Sequence, residues 1–270
     1  MIDVVRRAVL PVVRSAVAAA LILSPLAAAA QPRSYAATHG AAPFVTEHLL
    51  PGSPLNLGQV DRKAPAAQVV ALTIDDGPDA NDRRILDVLR EHGAKATFFF
   101  IGSKVEEHKD IAALVAASGN EVGSHTQTHP MMTDLSLPQQ EWNLAKADVA
   151  LAAAGVHPAW FRPPYGDVND GLAALARVHG MQTVLWTIDT QDWKDIDDKA
   201  IFGRVAPRLA PGAVILMHST KAASLKALPA LLDEGRRRGY RFVTMTEWEA
   251  AMRQAEAPPP VALLHPAPRK

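Results

Sequence analysis

The stretch VVALTIDDGPD, residues 69–79, is an apolar run that ends on two adjacent carboxylates, Asp75 and Asp76, before Gly77 and Pro78 break the chain. A buried strand that closes on two like charges poses an electrostatic problem. The charges repel, and burying either one is costly unless a partner is present. Positively charged groups are therefore expected beside them.

Outward from this stretch the chain alternates. The first β-rich apolar run, 68–74, is followed by others at 95–101 (KATFFFI), 121–124 (EVGS), 159–162 (AWFR), 182–188 (QTVLWTI), 213–217 (AVILM) and 241–245 (RFVTM). Helix-like segments lie between most of them and stop at Gly93, Gly119, Gly155, Gly180 and Gly239. Ser136, with Pro138 in the following turn, and Asn169 or Asp170 carry helix-start signals. Pro229 is expected to kink the last long helix or to mark a late start. Seven strands alternating with helices argue for an α/β fold with a parallel sheet, open or closed. Continuous rather than alternating apolar strands fit a sheet covered on both faces.

The polar residues collect at the strand ends. The first strand ends in Asp75-Asp76, the third in HTQTH (125–129), the fourth in RPPYG (162–166), the fifth in DTQDW (189–193) and the sixth in His218. In parallel β/α folds the C-terminal strand ends share one rim, where sites assemble. His125 and His129 are four apart, so on one helical turn they would share a face and reach one ion. Alone, this spacing is weakly specific. With a carboxylate from the first strand end it makes a two-His-one-carboxylate set with open positions, suited to catalytic zinc and also to non-haem iron. Side chains alternate along a strand, so Asp75 and Asp76 should divide the work, one ligating the ion and the other facing the water beside it. Arg162, with its planar and permanently charged fork, is placed to hold the non-ligating carboxylate ionised. Asp189 is placed to pair with His218, fixing its tautomer and raising its pKa so that it serves as an acid near neutral pH. His92, His108, His157 and His179 fall on helices or turns and read as surface residues.

The flanks bound the domain. Residues 1–30 carry Arg6, Arg7 and Arg14 and then an apolar run, 15–30, that ends in small residues. This reads as an export leader cleaved near Ala30. The run is shorter than the ~20 residues of a membrane span. Residues 31–65 read as an extension or linker, 66–255 as one catalytic domain, and 256–270, with five prolines, as a disordered tail. His39, His48 and His265 lie in these flanks. The 270 residues are 48% hydrophobic with a formal net charge of zero, so charge gives no reason to expect a nucleic-acid partner. Arg236, Arg237 and Arg238 read as a solvated helix end. With no cysteine in the chain, disulfides, thiolate metal sites and a cysteine nucleophile are excluded, and any metal rests on His, Asp or Glu.

Taken in order, TIDDGP (73–78), HTQTH (125–129), RPPYG (162–166), DTQDW (189–193) and LMH (216–218) resemble the five motifs of the polysaccharide deacetylases, the NodB homology domain of carbohydrate esterase family 4. The resemblance covers roughly 66–255. It implies a distorted (β/α) barrel of about seven parallel strands and a divalent metal, usually zinc. It also implies hydrolysis of N-acetyl groups on GlcNAc-containing glycans, or of O-acetyl groups on xylan. Under it Asp75 resembles the general base, and Asp76, His125 and His129 the metal ligands. Arg162 resembles the residue that orients the base, Tyr165 the backbone donor to the oxyanion, and Asp189 the partner that tunes the acid His218. Trp193 and Leu216 resemble the walls of the acetyl pocket and groove. Ile74 departs from the pattern, which often has Phe there. The expected partner is a polysaccharide or oligosaccharide, met by a monomer outside the cytoplasm and without stable membrane insertion. Peptidoglycan, chitin oligomers, an exopolysaccharide and acetyl-xylan are not separated by the sequence. Two other readings compete. A non-catalytic glycan-binding module leaves the complete set of base, ligands and acid unexplained, and an iron oxygenase leaves the second Asp and His218 without a role.

Overall fold

The computed structural model describes residues 67–256. The leader, the extension 31–65, the tail beyond residue 256 and the histidines at 39, 48 and 265 lie outside the described residues. The strands are β1 (Val69–Gly77), β2 (Thr97–Phe100), β3 (Glu121–Ser124), β4 (Trp160–Phe161), β5 (Gln182–Thr183), β6 (Ile188–Asp189), β7 (Val214–His218) and β8 (Arg241–Val243). They form one sheet in the order β5-β4-β3-β2-β1-β7-β6, and β8 pairs with the start of β1. Every pairing is parallel. The helices are α1 (Ala80–Glu91), α2 (Gly102–Glu107), α3 (Lys109–Ala117), α4 (Leu137–Ala152), α5 (Asp170–Val178), α6 (Asp198–Val205), α7 (Ala222–Arg237) and α8 (Met245–Glu256).

The sheet curls into a half-barrel because its two outermost strands, β5 and β6, are consecutive in the chain. The single run expected over 182–188 is broken between them, and the break carries the chain from one sheet edge to the other. Val184 still donates its N–H to Phe161 O on the β4 side, while Thr187 donates to Val214 O on the β7 side. Residues 184–187 thus cross from one edge to the other, and the carbonyls of Val184 and Leu185 accept from the Arg162 guanidinium instead of a strand.

Strand alternation sorts the core. Val70, Leu72 and Ile74 of β1 face the helices with Phe98, Phe100, Ile215 and Met217. Val69 and Ala71 face the barrel interior with Phe99, Trp160, Val184, Val214 and Trp248. Each fully buried large apolar side chain contributes roughly 1.5–3 kcal/mol. Two residues further along each strand the interior turns polar. Thr73 and Asp75 follow Ala71, Arg162 follows Trp160, and His218 follows Leu216, so the inward face of the barrel becomes the floor of a polar site.

The helix starts follow their sequence signals. Gln139 Oε1 accepts the Ser136 N–H ahead of α4, and Asn169 Oδ1 accepts the Leu172 N–H ahead of α5. Pro229 lies inside α7, which runs on through it. At the end of α7, Arg236 pairs with Asp233, and Arg237 and Arg238 pair with Glu234, on the exposed surface. His179 departs from the expected surface role. Its ring is largely buried between α4 and α5, with Nδ1 2.7 Å from Asp148 and Nε2 3.3 Å from Glu141. Burial opposes its charge, but the two carboxylates outweigh burial and raise its pKa.

Candidate active site

Asp75 and Asp76 reach the same cleft, which simple strand alternation forbids. The register of β1 against β2 shifts between Asp75 and Gly77, leaving Asp76 as an extra residue with φ 71°. This bulge turns Asp76 to the side of the strand where Asp75 already points. Gly77 is required next to it. A Cβ there would lie 2.5 Å from the Phe100 ring and 2.6 Å from Asp82 Oδ2.

The positive partner expected for the acid pair is Arg162, fully buried, with Nη1 2.9 Å from Asp75 Oδ1. The guanidinium also donates to Thr73 Oγ1 at 2.6 Å and to Leu185 O at 2.8 Å, and stacks 4.3 Å above the Phe99 ring. Burial lowers the Arg162 pKa from its ordinary value, and Asp75 opposes that shift. The pair is therefore a desolvated ion pair whose donors are matched by fixed acceptors.

His125 and His129 converge, but not on a helical turn. Residues 125–129 form a loop in which Thr126 and His129 have φ of 67° and 57°, and this left-handed path folds the two rings toward one another. Their centroids lie 4.8 Å apart. His125 Nδ1 is 2.6 Å from Arg162 O, so it acts as the N–H donor there and leaves the Nε2 lone pair facing the cleft. The His129 N–H donates to Thr126 Oγ1, and the buried Asn143 of α4 accepts from Thr128.

Asp76 Oδ1 lies 3.6 Å from His125 Nε2 and 3.3 Å from His129 Nε2. It is buried and has no well-formed hydrogen bond among the described residues. One atom from each of Asp76, His125 and His129 falls within 4.8 Å of the others. Burial opposes the charge on Asp76, but the histidines around it, His129 and His125 foremost, outweigh burial and hold it ionised far below the usual carboxylate range. Burial also pushes the His125 pKa down, which favours a neutral imidazole. An ionised carboxylate with an unpartnered buried oxygen, facing two imidazole nitrogens, is a donor set that fits a divalent cation.

His218 is the register partner of Asp75 across the β1–β7 ladder, so their side chains leave adjacent strands on the same face. Its carboxylate partner corrects the expectation from sequence. Asp192, not Asp189, lies 2.7 Å from His218 Nδ1. Asp189 pairs in register with Leu216, two residues short of His218, which is roughly 6.6 Å of strand rise. Its carboxylate caps the turn instead, accepting from Gln191 N–H at 2.7 Å and more distantly from the Trp193 indole. Gln191, with φ 56°, then returns the chain so that Asp192 meets His218. Asp192 is fully buried and also accepts from the His218 N–H and from Ser224 of α7. Burial opposes its charge, but His218 and Ser224 outweigh it and keep its pKa low. Burial likewise opposes the charge on His218, but Asp192, followed by Asp75 and Asp76, pushes its pKa up to about 9.

Of the remaining expected residues, Tyr165 and Trp193 are exposed and Leu216 is buried. Tyr165 has φ 62° and packs its largely exposed ring edge-on against His129, centroids 4.8 Å apart. Trp193 is 49% exposed beside Lys194, and Leu216 is buried one layer beneath His218. Sequence reasoning missed Asp192, Ser224 and Thr73. The D-x-x-D spacing of DTQDW was the available signal for Asp192, since a short turn carries either acid to the rim. Thr73 opens the TIDDGP motif and lies two residues before Asp75 on one strand, whereas nothing in the local sequence marks Ser224.

The chain is similar to proteins of one family. The polysaccharide deacetylase family model matches residues 62–184. A peptidoglycan-N-acetylmuramic acid deacetylase of Bacillus subtilis is 34% identical over 205 residues, 75% of this chain and 43% of that protein. A peptidoglycan-N-acetylglucosamine deacetylase of Bacillus cereus is 33% identical over 186 residues, 67% of this chain and 87% of that protein. The solved structure of a carbohydrate esterase family 4 pseudoenzyme from Bacillus anthracis superposes with a TM-score of 0.66 at 34% identity, covering 68% of this chain and 66% of that one. This chain thus spans under half the length of the first of these relatives and most of the second. The family match, these identities and the shared fold place the chain in the polysaccharide deacetylase family, the hydrolases of carbohydrate esterase family 4.

Proposed function

We propose that the chain is an exported, zinc-dependent deacetylase that hydrolyses N-acetyl groups on the glucosamine units of peptidoglycan. The observation that carries the reading is the direct pairing of Asp75 with His218 across β1 and β7, beside the Asp76, His125 and His129 cluster. A fold shared with a pseudoenzyme does not by itself imply turnover, so the assembled base, acid and ligand set bears the weight. The peptidoglycan substrate rests on the printed activities of the relatives, and export rests on the leader at 1–30.

Asp76, His125 and His129 would hold the cation, which when bound acidifies water and polarises the acetyl carbonyl. Arg162 holds Asp75 fixed, so that the Asp75 carboxylate takes a proton from the water that attacks the acetamide carbonyl carbon. The Tyr165 N–H is offered to the oxyanion that develops there. His218, protonated through its contact with Asp192, delivers the Nε2 proton to the leaving amine as the C–N bond breaks. The products are acetate and the free glucosamine unit. Trp193 and the Tyr165 ring supply exposed apolar faces for sugar rings at the mouth of the cleft.

Acetate release from peptidoglycan, N-acetyl-chitooligosaccharides and acetyl-xylan, each with and without a chelator, tests the reading. Chelator-sensitive release from the N-acetylated glycans is expected. Release only from acetyl-xylan moves the activity to O-acetyl esters, and release that ignores chelation overturns the metal mechanism.

A further inference from the structure

Four consecutive residues that supply no ligand, 101–104 at the start of α2, tie together both loops that do. The Ile101 N–H donates to Gly77 O at 2.9 Å, the Gly102 N–H to Thr126 O at 2.9 Å and the Ser103 N–H to Gln127 O at 3.0 Å. Lys104 Nζ then donates to the backbone carbonyl of Asp76 at 2.6 Å. Two of these bonds hold the Asp76 bulge, and two hold the left-handed loop between His125 and His129. The approach is close. A Cβ on Gly102 would lie 2.2 Å from Gln127 Oε1 and 2.9 Å from the α4 backbone at Ala147.

Asp76 needs such an anchor. Its φ of 71° lies in the left-handed region that L-residues rarely adopt. Relaxed into the extended conformation, it would alternate with Asp75 and turn its carboxylate away from the two imidazoles. Lys104 grips the carbonyl of the strained residue itself, and it is the one side-chain donor among the four. From this we infer that Lys104 is a positioning residue for the metal site, fixing the Asp76 bulge in the ligating conformation without touching the ion. This inference rests on the reading of Asp76, His125 and His129 as metal ligands.

The sign of the effect separates positioning from simple charge. A lysine near a dication repels it, so electrostatics alone makes Lys104→Met bind metal more tightly. Positioning makes the same variant bind more weakly, by about 10–100-fold as for other outer-shell partners of metal ligands. The experiment titrates the metal-free chain with Co2+, read by its d–d absorption, and with Zn2+ in competition with a chromophoric chelator. Parent, Lys104→Met and Lys104→Arg are compared, with circular dichroism and thermal melting of each metal-free protein recorded alongside. The expected result is weakened binding and an altered Co2+ spectrum in Lys104→Met, recovery in Lys104→Arg, and metal-free melting that differs little among the three. Equal or tighter binding by Lys104→Met overturns the inference while leaving the metal site in place. A Lys104→Met chain that melts well below the parent while keeping its affinity assigns Lys104 to the fold and overturns the inference as well. A parent chain that binds neither ion overturns the metal reading and this inference with it.

Discussion

Asp192 grips His218 at two points, accepting from Nδ1 at 2.7 Å and from the backbone N–H at 2.8 Å. One carboxylate thereby fixes the ring tautomer and the strand end that carries it, and Ser224 holds the same carboxylate from α7. The proton on His218 is retained to about pH 9. Replacing Asp192 with Asn removes the charge behind that shift. The alkaline limb of kcat/KM is expected to fall toward the ordinary imidazole value of about 6.5, with kcat lowered about 10–100-fold. Asp189→Asn, which alters only the turn cap, is expected to leave the alkaline limb in place. A pH–rate profile of the two variants checks the assignment.

The same pair links stability to pH. The folded pKa of His218, about 9, lies above its unfolded value of about 6.5. Its contribution is therefore fully present below pH 6.5 and is lost as the pH rises through about 9. A shift of this size corresponds to about 3 kcal/mol. Denaturant unfolding of the metal-free protein at pH 6 and pH 10 should show the loss, and Asp192→Asn should shrink it.

Asp75→Asn keeps the shape of the proposed base and removes its ability to take a proton. Turnover is expected to drop by about 10²–10⁴-fold. Metal content should stay near the parent level, because Asp75 is outside the ligand set. Acetate release and metal analysis on the same sample provide the check.

Arg162 and Asp75 form a fully desolvated pair, so removing one partner strands a buried charge. Arg162→Met is expected to destabilise the fold by about 3–5 kcal/mol and to abolish activity. Arg162→Lys keeps the charge but lacks the fork that also reaches Thr73 and the carbonyls of Val184 and Leu185. It should be only partly rescued. Thermal melting of the two variants ranks them.

A cation bound by the folded site and not by the unfolded chain raises the melting temperature. At a thousandfold excess over Kd the gain is about 4 kcal/mol. Zn2+ added to the chelator-treated protein should raise the melting temperature, and Asp76→Ala should remove the rise.

The linear sequence determined the class of the fold, because continuous apolar strands alternating with helices have few solutions other than a covered parallel sheet. It also placed the candidate site, because strand ends share a rim. Asp75, Asp76, His125, His129, Arg162 and His218 all meet there in the structure. What it left undecided was local direction. Periodicity gave Asp75 and Asp76 opposite faces and placed the two histidines on a helical turn. The observed convergence depends on left-handed residues at 76, 126 and 129 that no spacing rule announces. Asp189 stood nearest His218 in strand order, yet β6 stops two residues too low, and only the returning turn brings Asp192 to the ring. The broken strand at 184–187 has the same origin, since its carbonyls serve Arg162, a residue more than twenty positions earlier. Composition and periodicity act over a few residues and so decide which elements form. The bulge, the turn and the crossing are set by contacts between distant segments, and those exist only once the sheet has formed and curled.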